Sequence, residues 1–327
     1  MSTLGLTFLG TSAAVPTAGR NLSGLFLKRG ADAFLFDCGE GTQRQMVRFG
    51  TGFSLTAIFF THFHADHYLG VIGMLRTFAM QAVPRPLSGL HRVGDAREES
   101  AAKAPVPLRL YGPRPAASLL PRMIKLGIEE LAYPIEIVEL EPGAAFQGDG
   151  YRIEAFATQH RVPSVGYALI EEDRPGRFDL ARAEAMGVPR GPSFGQLQRG
   201  EPITLPDGRV VRPEEVLGPA RAGRRIVVSG DTRPCDATIA AAERADVLVH
   251  ESTFGDDESE RAVGTAHSTA REAACVGREA GARRVVLTHL SSRYDMDAGT
   301  LLRQAQSELP SCEIANDGYS FEVPYRD

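Results

Sequence analysis

The stretch Leu55-Thr56-Ala57-Ile58-Phe59-Phe60-Thr61-His62-Phe63-His64-Ala65-Asp66-His67 changes character at its middle. Its first half is apolar and rich in β-formers, which predicts a buried strand. Its last six residues pack three imidazoles and a carboxylate together, a density that points to metal ligands rather than solvated surface histidines. In extended backbone His62 and His64 project from one face. Asp66 and His67 follow where the strand must give way to the apolar, helix-like segment 68–75, so they can address a second position nearby. One hexapeptide can therefore serve two metal ions. Imidazole with carboxylate suits zinc or another first-row divalent ion, whereas calcium and magnesium prefer all-oxygen sites.

The rest of the chain supplies what such a site lacks. Of the eight histidines, all but His91 lie at or just beyond a strand-like apolar run. Residues 153–158 lead to His160, 226–229 to Gly230-Asp231-Thr232, 247–249 to His250-Glu251, and 285–288 to His289. Ligands at strand ends converge on one rim of a sheet scaffold. His250-Glu251, closing a buried strand, reads as a pair that braces ligands through hydrogen bonds.

The pattern predicts strands at 4–9, 23–28, 33–37, before 62, 108–111, 135–140, 151–157 and 165–170. Strands at 225–229, 246–250 and 284–288 then alternate with helices at 235–244, 267–280 and 297–308, and a pair at 312–315 and 319–323 closes the chain. This order suggests an α/β (α+β) fold of two packed sheets flanked by helices. The chain exceeds a usual domain at 327 residues, but a two-sheet architecture of this size can be one domain, 1–327.

These motifs resemble the metallo-β-lactamase superfamily, and within it the ribonuclease Z family, whose members trim the 3′ trailer of precursor tRNA. The superfamily's His-x-His-x-Asp-His matches 62–67, its later single histidine His160, its Ser-Gly-Asp-Thr 229–232, and its terminal histidine His289. Narrower matches to the tRNA-processing branch are Phe36-Asp37-Cys38-Gly39-Glu40-Gly41-Thr42-Gln43, His250-Glu251-Ser252-Thr253, Ala266-His267-Ser268-Thr269 and His289-Leu290-Ser291-Ser292-Arg293-Tyr294. The resemblance implies an αββα sandwich with a protruding flexible arm. It implies two divalent ions per subunit, one held by His62, His64 and His160, the other by Asp66, His67 and His289, with Asp231 between them. Zinc is expected, and manganese or cobalt suits nearly the same ligands. Two such ions activate water and clamp a phosphoryl oxygen for in-line displacement. Asp66 is then the expected proton acceptor and His267 the donor to the departing 3′ oxygen. The products are a tRNA ending in a 3′ hydroxyl and a trailer with a 5′ phosphate. Arg293 is a candidate phosphate contact, since guanidinium presents paired donors to an oxyanion.

Two polar segments interrupt the scaffold: an insertion at 84–107, which includes His91, and the region 171–223. The second resembles the family's tRNA-binding arm, with Arg174, Arg177, Gly191 and Pro192 as candidate contacts. Its arginines Arg174, Arg177, Arg182, Arg190 and Arg199 outnumber Asp179 and Glu184, a local excess that matters because the whole chain carries −5 with pI near 6.0. The family's amino-terminal Pro-x-Lys-x-Arg-Asn loop is matched by Pro16-Thr17-Ala18-Gly19-Arg20-Asn21. Arg20 and Asn21 are thus expected at the tRNA 3′ end, and Ala18 in the lysine position puts discrimination against CCA in question.

The four cysteines, Cys38, Cys235, Cys275 and Cys312, form no metal-type pair, which favours free thiols in a reducing cytoplasm. No apolar run reaches the ~18 residues of a membrane span, and the amino terminus leads directly into a strand without a signal-peptide pattern. The expected partners are precursor tRNA and a second subunit in a homodimer, with no membrane or DNA. Two other classes compete: another dinuclear hydrolase, such as a small-molecule phosphodiesterase or arylsulfatase, and a non-catalytic metal-dependent binding protein. The complete ligand set disfavours the latter, and an arm is superfluous for the former.

Overall fold

The computed structural model describes residues 2–82, 107–126, 131, 133–143 and 145–326. All of the insertion at 84–107 except its last residue, His91 included, lies outside the described residues. Two seven-stranded sheets form the scaffold. The first runs, in spatial order, Ser320–Glu322, Leu4–Gly10, Gly24–Arg29, Asp32–Phe36, Ala57–Phe59, Leu108–Gly112, Ile135–Glu139. The second runs Cys312–Ile314, Val285–Thr288, Val247–Glu251, Arg225–Val228, Val165–Glu171, Tyr151–Ala157, Ala145–Gly148.

The period-two alternation of the strands decides which faces meet. Leu4, Leu6 and Phe8 of the first sheet and Tyr151, Ile153 and Tyr167 of the second share one buried cluster, so the sheets pack face to face. Phe59 is its hub: its ring stacks on Tyr111 at 4.7 Å and meets Tyr167 edge-on at 5.1 Å. The opposite face of the first sheet, with Leu35, Ile58 and Leu110, packs on Met46, Met74 and Leu120 from the helices Thr42–Arg48, Val71–Ala82 and Ala116–Ile124. That of the second, with Val227, Leu248 and Leu287, packs on Ala273, Val276 and Leu301 from the helices Ala270–Glu279 and Ala298–Gln306. Helix, sheet, sheet, helix is the layer order that the element pattern predicts.

Strand direction places the ends of the ligand-bearing strands. Arg225–Val228, Val247–Glu251 and Val285–Thr288 are mutually parallel. Tyr151–Ala157 is antiparallel to Val165–Glu171, which is antiparallel to Arg225–Val228, so Tyr151–Ala157 shares their direction. Asp32–Phe36 and Ala57–Phe59 are likewise parallel. Each group therefore delivers its carboxyl ends to one rim. At that rim the sheets are joined by Val165 N–H donating to Thr61 O at 2.9 Å and Tyr167 O–H to Phe60 O at 2.7 Å.

Region 171–223 is more ordered than an arm of loops. It contains helices Leu180–Ala185, Pro192–Gln198 and Pro213–Val216 and a two-stranded sheet Ile203–Thr204 with Val210–Val211. Ala183, Val188, Leu197, Ile203, Leu205, Val211 and Val216 form a buried cluster drawn entirely from this segment. Backbone bridges Arg174–Arg221 and Phe178–Leu217 close its base. At the root, Arg224, 3% exposed, is paired with Glu171 at 2.7 Å, donates to Val323 O, and lies over the Tyr325 ring. No helix among the described residues is long and apolar enough to cross a membrane.

Candidate metal centre

Two short turns bring ligands to the rim. After the strand Ala57–Phe59 the backbone stays extended to His64, whose φ and ψ of −74° and 148° make it the N-cap of the single-turn helix Ala65–Tyr68. That one turn brings Asp66 and His67 to His289, the second position the spacing suggests, while the His67 ring stays 4.1 Å from that of His62. Opposite, Gly230 takes a left-handed φ of 62°, and a Cβ there would stand 2.7 Å from the Cβ of Thr61. Glycine is required for Asp231 to approach this closely.

Two groups of ligating atoms result. His62 Nε2 and His160 Nε2 lie 3.0 and 3.2 Å from His64 Nδ1, and Asp231 Oδ2 lies 3.5 Å from His62 Nε2 and 4.0 Å from His160 Nε2. Beside them His67 Nε2 and His289 Nε2 are 3.2 Å apart, with Asp66 Oδ2 3.5 and 3.4 Å away. Asp231 reaches this group too, Oδ2 to His67 at 3.4 Å and Oδ1 to His289 at 3.5 Å. Each group could hold one metal ion, and Asp231 belongs to both neighbourhoods.

The outward nitrogens explain why the inward ones are free to bind. His67 Nδ1–H donates to Asp37 Oδ2 at 2.8 Å, and His160 Nδ1–H to Ala266 O at 2.9 Å. His289 Nδ1–H donates to Thr253 Oγ1 at 2.9 Å, and Thr253 in turn donates to Glu251 Oε2 at 2.7 Å. His62 Nδ1 meets Thr61 Oγ1 at 3.1 Å, while that hydroxyl donates to Asp37. Each hydrogen bond fixes a tautomer whose Nε2 lone pair faces the centre. Asp231 Oδ1 is buried without any hydrogen-bond partner, an arrangement a cation would satisfy. The donor set therefore fits two divalent ions.

Charge agrees. Burial works against ionising Asp231, yet the imidazoles of His289, His67 and His62 hold its carboxyl well below the usual range. Asp66 behaves alike, burial being outweighed by His289 and His67. Burial keeps His62 neutral, with His67 adding to that effect, as a ligand must be. At His67 burial is overcome by Asp231 and Asp37, which favour a positive charge there; a metal ion at the same point meets the same field. Five non-glycine residues have positive φ among the described residues, and four of them, Ala14, Asp37, Ala266 and His289, bear on this site. Ala14 N–H donates to Asp66 Oδ2 at 2.7 Å. Such conformations cost about 1–3 kcal/mol each and persist where surrounding structure imposes them.

His267 stands at the edge of the cluster. Its Nδ1 donates to Glu251 Oε1 at 2.8 Å and lies 3.8 Å from Asp231. Burial lowers its affinity for a proton, but the Glu251 charge and hydrogen bond prevail and raise its pKa to about 9. Glu251 is saturated, accepting also from Thr232 N–H and from both N–H and Oγ1–H of Thr253. One buried carboxylate thus sets both His267 and, through Thr253, His289. Asp37 was legible from its motif as a carboxylate at or beside the metal site, but its bond to His67 was not, and Thr61 and Thr253 were not legible as site residues. Those roles depend on partners far along the chain, and only the His250-Glu251-Ser252-Thr253 motif hinted at the threonines.

Other expectations need correction. His250 does not brace a ligand: it is in register with Leu287 on the helix-facing side of the sheet, and its Nδ1 bonds Glu251 O at 2.7 Å. Arg20 is 7% exposed and gives its guanidinium to Thr11, Ala315 O and Asn316, so it fastens the loop. Asn21 likewise donates to Leu22 O and Glu40 O. Arg174 lies over the Tyr325 ring at 3.7 Å and donates to Arg326 O, a joint at the base of the arm. Arg177, Gly191 and Pro192 are exposed on the arm, and Arg293 is exposed beside the centre with Glu258 at 3.9 Å.

Comparison with known proteins agrees with this geometry. The metallo-beta-lactamase superfamily model matches residues 18–176 and a beta-lactamase superfamily domain matches 202–290. A ribonuclease Z of Myxococcus xanthus is 58% identical over 328 residues, covering 100% of both chains. One of Gemmatimonas aurantiaca is 49% identical, covering 97% of this chain and 95% of its own. Among solved structures, the short form of human tRNase Z superposes with a TM-score of 0.67 at 25% identity, covering 98% of this chain and 99% of that one.

Proposed function

Since the chain belongs to the ribonuclease Z family of the metallo-β-lactamase superfamily, we propose that it is a metal-dependent endoribonuclease that removes the 3′ trailer from precursor tRNA. The observation that carries the proposal is the joint presence of a dinuclear-type ligand set and a separately folded, arginine-bearing arm. A small aryl phosphodiester needs only the first; a tRNA, gripped away from its cleaved bond, uses both.

Within this reading His62, His64 and His160 hold one ion, Asp66, His67 and His289 the other, and Asp231 is shared. Two divalent ions bound there supply an activated water near neutral pH and stabilise charge on the phosphoryl group. Zinc is the expected metal, with manganese or cobalt as workable substitutes. Asp66, kept ionised, serves as ligand and as acceptor of the water's proton. His267, kept protonated by Glu251, has no protein partner on Nε2 among the described residues, so that proton is free to pass to the departing 3′ oxygen. Arg293 is the candidate contact to a non-bridging phosphate oxygen. The region 171–223 acts as the tRNA-gripping arm, and a homodimer in which one subunit's arm serves the other's centre is the proposed assembly.

The test is incubation of metal-quantified protein with 3′-extended precursor tRNAs, with and without CCA, and mapping of both new ends. A 3′ hydroxyl on the tRNA and a 5′ phosphate on the trailer are expected. Turnover of small phosphodiesters without precursor cleavage would instead favour the small-molecule hydrolase.

A further inference from the structure

We propose that a cleft beside the metal centre binds backbone phosphates of the RNA strand threaded through it, with Arg44 and Arg48 as the cations. This rests on the function proposed above and names residues outside its metal ligands, acid and arm. The cleft has a volume of about 290 Å³ and lies between the loop 16–21 and the helix Thr42–Arg48.

Arg44 and Arg48, four apart, stand on the same face of that helix, and both line the cleft. Both are exposed, neither makes an ion pair with the described residues, and Arg48 lies 5.2 Å from the Phe49 ring centroid. Arg190, Arg209, Arg271 and Arg278 each rest on a carboxylate, whereas Arg122, Arg161, Arg177, Arg182 and Arg212 stand exposed without an ion pair among the described residues; what sets Arg44 and Arg48 apart is that both line one cleft. Two like charges at this spacing repel, and no described residue supplies a counter-ion between them. The other charges of the cleft do not fill that role. Arg20 is consumed by Thr11, Ala315 O and Asn316, and Asp317 accepts from Thr11, Asn21 N–H and Gln45. Glu40 is the one exposed acid in the lining, leaving a cationic balance on the helix side. A phosphodiester is the anion that suits paired guanidinium donors.

Both walls are fastened to the centre. The first runs from Ala14, whose N–H holds Asp66, through Pro16 to Asn21. The second runs from Asp37, which holds His67, to Gly41 and the helix. The four residues from Asp37 to Gly41 span at most about 14 Å and the helix adds about 1.5 Å per residue, so Arg44 and Arg48 stand at most about 19 and 25 Å from Asp37 along the chain, a distance that an extended strand with its cleaved bond at the ions can cover. Arg44 and Arg48 act on substrate binding and not on the chemistry.

The experiment measures precursor-tRNA cleavage by the intact enzyme and by R44A/R48A at 50 to 200 mM salt, alongside hydrolysis of bis(p-nitrophenyl) phosphate. Losing two phosphate contacts reduces the salt slope by about 1.4 on a single strand, so the wild type's advantage in KM narrows roughly sevenfold across that range. kcat on the small phosphodiester stays unchanged, R44K/R48K recovers most of the loss, and Glu40→Gln lowers KM. Precursors with a one-nucleotide trailer separate the two sources of phosphate: loss of arginine dependence assigns them to the trailer, retention to the tRNA body. An unchanged salt slope and KM in R44A/R48A, with wild type cleaving normally, overturns this inference alone. Failure of the wild type to cleave any precursor overturns the function on which it rests.

Discussion

Replacing Thr253 by valine removes one oxygen from the centre while keeping the side-chain shape, and its effect can be worked out bond by bond. That oxygen accepts from His289 Nδ1 at 2.9 Å and donates to Glu251 Oε2 at 2.7 Å. Without it the buried His289 N–H has no acceptor, and a buried polar group left unpaired costs about 1–3 kcal/mol. Loss of such a support behind a metal-binding imidazole typically weakens metal affinity ~10–100-fold, equivalent to roughly 1.4–2.8 kcal/mol, so the two estimates agree. The loss falls on one side of the pair. His289 belongs to the group with Asp66 and His67, whereas His62 and His160 are held by Thr61 and Ala266 and keep their partners. Competition against a calibrated chelator is the assay. Two ions per chain of comparable affinity in the wild type become one tight and one weak in Thr253→Val, with precursor cleavage restored at higher free metal. Equal weakening of both ions, or none, would refute the idea that Thr253 acts by orienting His289.

Four further outcomes follow from the same geometry. His267→Ala lowers kcat on precursor tRNA by about 10²–10⁴-fold while both metals stay bound, read by rapid quench with metal analysis. Because its pKa is raised to about 9, the acid form is present below that value, and wild-type kcat declines as pH rises through about 9, a limb the variant lacks. Glu171 is held below the usual carboxylate range, burial being outweighed by Arg224 and Arg29; its stabilising effect is therefore full above the unfolded pKa of about 4.3 and lost as pH falls. Glu171→Gln should accordingly cost about 3 kcal/mol at neutral pH in urea unfolding, the difference shrinking under acid, whereas a constant difference would remove the ionic argument. Deleting the arm between Phe178 and Leu217, which are bridged and so easily joined, should abolish precursor cleavage but spare a small aryl phosphodiester.

Legibility of the sequence followed the range of the interactions. Strands with period-two burial, such as Leu4–Gly10 and Tyr151–Ala157, and the ligands at strand ends depend on local pattern alone, and these strands match their expected bounds within a residue, whereas the helices expected at 235–244 and 267–280 are the shorter Asp236–Ala241 and Ala270–Glu279. The helix Thr42–Arg48 escaped because its apolar face is chiefly Met46, too little periodicity to register. The arm looked loose because its cluster is assembled from single apolar residues, Ala183, Leu197, Ile203 and Val211, spread across turns. At the site, the converging histidines were visible, but which nitrogen faces inward is set by Asp37 and Thr253, and those pairings span long stretches of chain. Arg20 is the opposite case: the motif marks its position, but that its guanidinium closes the loop depends on Ala315 and Asn316, nearly three hundred residues away.

The central claim is that two neighbouring cations are caged by this imidazole–carboxylate constellation with Asp231 between them. Anomalous diffraction at the metal's absorption edge, on crystals of protein loaded to measured stoichiometry, tests it most directly. The account predicts two peaks about 3.5–4 Å apart, one contacted by His62, His64 and His160, the other by Asp66, His67 and His289, with Asp231 touching both. A lone peak, or two that do not share Asp231, would contradict it.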